Sequence, residues 1–183
     1  VEIAAAVAGL VVAAPLLMLA GAAIVVTTRS FPLFRQRRVG RDGRLFTLVK
    51  LRTMRDAAGA GVTARGDARV TRVGRLLRRT KVDELPELWN VIRGEMAFVG
   101  PRPEVPRYFD PCDPRWSGVL GARPGLTDPV TLRLRNEEEL LAGVPGDPEA
   151  FYRDHLQPWK LRGYAQYLAG RTWRSDVRVL LDT

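Results

Sequence analysis

Residues 78–104, Arg-Arg-Thr-Lys-Val-Asp-Glu-Leu-Pro-Glu-Leu-Trp-Asn-Val-Ile-Arg-Gly-Glu-Met-Ala-Phe-Val-Gly-Pro-Arg-Pro-Glu, gather the groups best suited to work on a phosphate ester. Asp83 and Glu84 are adjacent carboxylates placed where a helix should begin. Unpaired N–H groups at a helix start carry partial positive charge, which attracts phosphate and should lower a carboxylate pKa. A carboxylate held ionised can attack phosphorus and carry a covalent acyl-phosphate. Its neighbour can hold Mg²⁺ against phosphate oxygens. Arg78, Arg79 and Lys81 stand ready to neutralise remaining charge. Arg102, fixed between Pro101 and Pro103, suits a preorganised phosphate or nucleotide clamp. Lys50, Arg52 and Arg55 could add to the same pocket. Taken singly, Asp-Glu is an everyday helix cap and Pro-Arg-Pro an everyday rigid turn.

The scaffold around these groups is read from pattern. Leu33–Val39 and Leu45–Leu51 read as two strands around Gly40-Arg41-Asp42-Gly43, since Asp-Gly is a strong hairpin signal. Residues 56–68 are Gly/Ala-rich without periodicity and read either as a loop over the site or as a plain linker. Residues 71–79 read as a helix capped by Thr71 with Val73, Leu76 and Leu77 as its apolar stripe. A second helix should run from about Glu84 to Ile92, with Asp83 as N-cap, Pro86 in the first turn, Gly94 past the end, and Leu85, Leu88, Trp89 and Ile92 as its buried face. From residue 100 turns dominate. Residues 148–169 read as two helices divided at Pro158, and 175–181 as a last one. Their aromatic and Arg content suits either a membrane interface or an ordinary core.

Residues 3–26 carry no charge, and a straight helix of that length reaches about 36 Å, enough to cross a bilayer core of about 30 Å. Pro15 sits at the centre, where it should bend the helix. The readings are a cleaved signal peptide, a kinked spanning helix, and a helix that enters and leaves by one face. The run is too long for the first, and no basic segment precedes it in this sequence. Proline kinks are common in spanning helices, so sequence physics prefers the second. Arg29, Arg35, Arg37 and Arg38 come immediately afterwards and place the C-terminal side in the cytoplasm.

The chain has 183 residues, enough for one modest domain, and a formal charge of +9. Of its 29 basic residues 26 are Arg, a bias a GC-rich genome would also produce, although that leaves the net charge unexplained. The excess fits nucleic acid, anionic lipid or a nucleotide-type substrate. A single cysteine, Cys112, excludes an internal disulfide, and a single histidine, His155, argues against a His-rich metal site or a His-based triad. Any metal should be a hard cation on carboxylates.

Taken in order, Pro15 in its apolar run, Leu33-Phe34-Arg35-Gln36-Arg37-Arg38-Val39-Gly40, Lys50-Leu51-Arg52-Thr53-Met54, Lys81-Val82-Asp83-Glu84-Leu85-Pro86-Glu87-Leu88-Trp89-Asn90-Val91, Gly94-Glu95-Met96, Val99-Gly100-Pro101-Arg102-Pro103 and Arg123-Pro124-Gly125-Leu126-Thr127 resemble the bacterial sugar transferases, the monotopic phosphoglycosyl transferases. The resemblance covers nearly the whole chain. It implies an α+β fold with a re-entrant membrane helix hairpin broken at Pro15 (residues 1–28) and a catalytic domain (residues 29–183) with a small β-hairpin and amphipathic helices at the membrane interface. It implies a transferase on the cytoplasmic face of the bacterial inner membrane, moving a sugar-1-phosphate from a UDP-sugar to a polyprenol phosphate with release of UMP, as the first membrane step of glycoconjugate synthesis. By the resemblance Asp83 is the nucleophile and Glu84 the Mg²⁺ ligand, while Lys50, Arg52, Arg78, Pro101, Arg102 and Pro103 look like phosphate and nucleotide contacts. It also implies membrane lipids and room for a homodimer, with no nucleic acid partner. Ala14, where the family usually has Ser, Glu2 in place of Asp, and Asp128-Pro129 in place of Gly-Trp depart from the pattern. The competing reading is a non-catalytic, membrane-tethered basic module that binds anionic lipid or nucleic acid.

Overall fold

A computed structural model describes residues 1–55 and 66–183, so the loop expected over 56–68 falls largely outside the described residues. The expected hairpin is present as β1 (Leu33–Val39) and β2 (Leu45–Leu51), antiparallel with Leu33 opposite Leu51 and Val39 opposite Leu45. Asp42 and Gly43 both adopt positive φ, 55° and 74°, which is why Asp-Gly is found at this turn. After β2, Met54 pairs with Val70 in an isolated antiparallel bridge.

Helix α1 (Glu2–Thr28) is one continuous helix with Pro15 inside it rather than two helices separated by a break. It is long and apolar enough to cross a membrane by length and composition. Before Pro15, Ala6 and Leu10 pack with Phe46, Leu48, Leu88, Val91 and Met96. After it, Ala20, Ile24 and Leu17 pack with Leu51, Leu77, Leu33 and Val82. Val11, Val12, Met18 and Leu19 between those contacts are exposed.

Helix α2 (Arg72–Arg79) starts as expected, Thr71 Oγ1 accepting from Gly74 N at 2.8 Å. Gly74 is pressed against β2's end: a Cβ there would sit 2.0 Å from the Thr53 carbonyl oxygen. Leu77 is buried, but Leu76, expected in the stripe, is exposed.

The next element departs from expectation. Residues Val82–Glu87 form a 3₁₀ helix, and only Leu88–Ile92 (α3) is α-helical. Lys81, left-handed at φ 58°, separates this unit from α2. Asp83 is therefore inside the first turn and is not the N-cap. A 3₁₀ helix turns about 20° more per residue than an α-helix, so six residues rotate α3 by about 120°. That rotation buries Asn90 and Val91 and leaves Trp89, expected in the core, 48% exposed.

Two three-residue strands missed in the sequence, β3 (Ala97–Val99) and β4 (Gly125–Thr127), pair in parallel, Ala97 with Gly125 and Val99 with Thr127. Gly100 and Gly125 cross so closely that a Cβ on Gly125 would lie 2.1 Å from Gly100 N. Short helices α4 (Ser117–Leu120), α5 (Pro129–Arg133), α6 (Glu137–Ala142) and α7 (Pro148–Phe151) occupy the turn-rich region. Asp128 caps α5, its carboxylate accepting from Val130 N and Thr131 N at 2.8 Å, with Pro129 in the first turn. The Asp-Pro departure is thus a helix start.

The division expected at Pro158 lies earlier. A π turn, Tyr152–Leu156, joins α7 to α8 (Gln157–Ala169), and Pro158 occupies α8's first turn, where its missing N–H costs nothing. Helix α9 (Trp173–Asp182) opens with a capping box between Thr172 and Ser175.

Candidate active site

The 3₁₀ helix sets the site's geometry. Side chains three residues apart eclipse in such a helix. Glu84 and Glu87 therefore share one face, and Asp83 and Pro86 share another. Glu84 accepts from Arg102, Nη2 to Oε1, at 2.5 Å. Lys50 Nζ lies 3.7 Å from Glu87 Oε1. Asp83 is 5% exposed, and its Oδ1 is buried without a hydrogen-bond partner. Buried polar atoms are nearly always satisfied, so this oxygen is a candidate contact for a ligand.

The expectation that the helix start would lower both carboxyls is half wrong. Burial pushes the Asp83 carboxyl up, and the neighbouring Glu84 charge adds to that, against the pull of Lys50, Arg78 and Lys81. Burial would raise Glu84 too. There, Arg102, then Lys50 and Lys81, overcome it and hold the carboxyl at about 2. One carboxylate is thus locked ionised beside another whose charge is disfavoured, a pairing that often separates roles in a site. Glu87, 1% exposed, is pushed up by burial, and Lys50 is pushed down by burial and by Arg102.

Of the expected residues, Lys50, Arg78, Asp83, Glu84 and Arg102 come together. Arg78 is drawn in by the Gly74 contact: its Nε donates to Thr53 Oγ1 at 3.0 Å and its Nη1 to Glu138 at 2.7 Å. Pro101 and Pro103 are buried, and their carbonyls are tied, Pro101 to Gly125 N at 3.0 Å and Pro103 to Arg38 Nη1 at 2.9 Å. They frame Arg102. Arg52 lies elsewhere, its Nε donating to the Phe31 carbonyl at 2.9 Å.

Sequence reasoning gave Arg38 a topological role only. It reaches inward beside Arg102, with a buried Nε that has no hydrogen-bond partner, and burial followed by the Arg102 charge lowers its pKa. Glu104 supports this corner, accepting from Tyr152 Oη at 2.5 Å and Gln157 Nε2 at 3.3 Å. Asn90 ties α3 to β2 through Val49 N (3.2 Å) and Thr47 O (2.7 Å). The three-residue spacing of Lys81, Glu84 and Glu87 is the sequence signal that could have exposed the 3₁₀ face.

For Mg²⁺, no group of three His, Cys, Asp or Glu side chains able to hold a metal occurs among the described residues. Mg²⁺ commonly takes one or two carboxylates and completes its shell with water and phosphate. Glu84, ionised and still reached by solvent, supplies one such carboxylate.

A family described as "Bacterial sugar transferase" matches residues 1–183. The UDP-glucose:undecaprenyl-phosphate glucose-1-phosphate transferase of Caulobacter vibrioides is 40% identical over 177 residues, 93% of this chain and 61% of that protein. The undecaprenyl-phosphate glucose phosphotransferase of Komagataeibacter xylinus is 46% identical over 110 residues, 58% of this chain and 21% of that protein. The exopolysaccharide production protein ExoY of Rhizobium meliloti is 32% identical over 178 residues, 87% and 76% respectively. The chain thus spans under two thirds of the length of the first two relatives.

Proposed function

Since the chain belongs to the bacterial sugar transferase family, we propose that it transfers a sugar-1-phosphate from a UDP-sugar to a polyprenol phosphate, undecaprenyl phosphate by the names of its relatives, and releases UMP. The observation that carries the reading is Asp83, a buried carboxylate with an unpartnered oxygen and three cations, Lys50, Arg78 and Lys81, acting on it.

In this reading Asp83 attacks the phosphorus nearest the sugar. An Asp83 O–P bond forms, the P–O bond to UMP breaks, and UMP leaves with the bridging oxygen. An oxygen of the polyprenol phosphate then attacks the same phosphorus, the Asp83 carboxylate is released, and a lipid diphosphate sugar results. Arg102 keeps Glu84 ionised and oriented. Lys50 and Arg78 offset charge on the phosphates. Glu84 would hold Mg²⁺, which would supply positive charge against that of the phosphates.

The chain would work from the cytoplasmic face of the bacterial inner membrane, with α1 entering and leaving by that face through a bend at Pro15. One contact and the chain's course support this. Glu2, in the first turn, pairs with Arg123 at 2.5 Å, and Arg29, just past the last, leads into β1. Here both ends join one domain, and the exposed apolar middle is what lipid would cover.

UMP release tests the function, measured with Mg²⁺, undecaprenyl phosphate and a panel of UDP-sugars. Release from one donor, abolished in Asp83→Asn and by chelator, is expected. Folded protein in membrane mimetic that releases no UMP from any donor would refute it and favour the tethered basic module.

A further inference from the structure

An apolar groove of about 430 Å³ is walled by Leu17, Met18 and Gly21 of α1, by Pro32 and Leu33, by Leu51, and by Pro86. We propose that it holds the first isoprene units of the acceptor's chain; this rests on the function proposed above. Pro86 is three residues past Asp83 in the 3₁₀ helix, so the two stack on one face about 6 Å apart. A polyprenyl phosphate carries its hydrocarbon directly on the phosphate that must meet the phosphorus on Asp83. Its chain therefore has to begin within one helical turn of Asp83, where Pro86 opens the groove.

Charge along the groove matches such an amphiphile. Every wall residue is apolar, while the Asp83 end faces Lys50, Arg78 and Lys81. Arg52, away from the Asp83 end, holds the wall residue Pro32 in place, its N donating to the Pro32 carbonyl at 2.7 Å and its Nε to that of Phe31 at 2.9 Å. Met18, a wall residue, also belongs to the exposed apolar surface of α1, so a chain could pass from lipid to groove without crossing water. A phospholipid puts a glycerol between phosphate and hydrocarbon, and its chains would begin too far from Asp83.

Ala22 lines the groove and is otherwise exposed, so Ala22→Phe fills the space without entering the core. Its KM for undecaprenyl phosphate should rise about tenfold, the equivalent of roughly two buried methylenes, while the acceptor-free exchange of labelled UMP into UDP-sugar stays unchanged. An unchanged KM for the long acceptor, with exchange intact, overturns the groove alone. Absence of both transfer and exchange in wild type overturns the proposed function with it. Independently of any variant, a photoreactive undecaprenyl phosphate should label wild-type peptides containing Met18 or Leu33. Labelling confined to other peptides, or labelling of these only by a photoreactive phosphatidylglycerol, refutes the assignment.

Discussion

The Glu84–Arg102 pair allows a quantitative test. Glu84 is held at about 2 against an ordinary 4.5, although burial works the other way. That difference of about 2.5 units, at 1.36 kcal/mol each, is about 3 kcal/mol in favour of the ionised form. Lys50 and Lys81 share in it, and both partners keep some solvent contact, 18% for Glu84 and 28% for Arg102, so the pair itself should contribute about 2 kcal/mol. A double-mutant cycle of Glu84→Gln, Arg102→Met and the double variant, monitored by thermal unfolding in detergent at pH 7, should give a coupling energy of about 2 kcal/mol, or about 4–8 °C in Tm. The folded pKa is depressed, so the coupling is full above pH 4.5 and is lost as pH falls toward 2. At pH 3.5 it should already be smaller than at pH 7. Additive effects within about 0.5 kcal/mol at pH 7 would refute the claim that Arg102 holds Glu84 ionised.

Asp83→Asn should raise stability by about 1–3 kcal/mol at pH 7 while abolishing turnover, because a buried charge with an unpartnered oxygen is removed; calorimetry beside the UMP assay reads both. The Asp83 carboxyl is raised, and in the proposed mechanism its ionised form attacks, so the acid limb of the single-turnover rate should fall at a pH clearly above the ordinary 3.8; a limb at or below 3.8 would contradict the burial argument. Gly125→Ala drives a Cβ to 2.1 Å from Gly100 N and should cost about 3 kcal/mol or prevent folding, whereas Gly121→Ala, with nothing within 4 Å, should be neutral in the same unfolding assay.

How legible the molecule was depended on how local the determining physics is. The Asp42-Gly43 turn, the Thr71 cap and the last helix announce themselves in a few consecutive residues, and each is present. The dyad and Arg102 were likewise legible, and they meet. Strands β3 and β4 were not, since three residues are too few to display a period of two and their pairing joins segments 28 residues apart. Trp89 was misplaced because an α-helical period was applied across a 3₁₀ segment. Arg38 hid in plain sight, its burial being fixed by the distant Pro103 carbonyl and by the Glu104 corner.

The proposed mechanism rests on a covalent phosphosugar at Asp83. Its direct measurement is the intact mass of the protein mixed with its UDP-sugar and Mg²⁺ without acceptor, with peptide mapping of the product. A gain of one phosphosugar on the peptide containing Asp83, discharged when polyprenol phosphate is added, is expected. An adduct on another residue, or none in protein that turns over once acceptor is supplied, would rule the covalent route through Asp83 out.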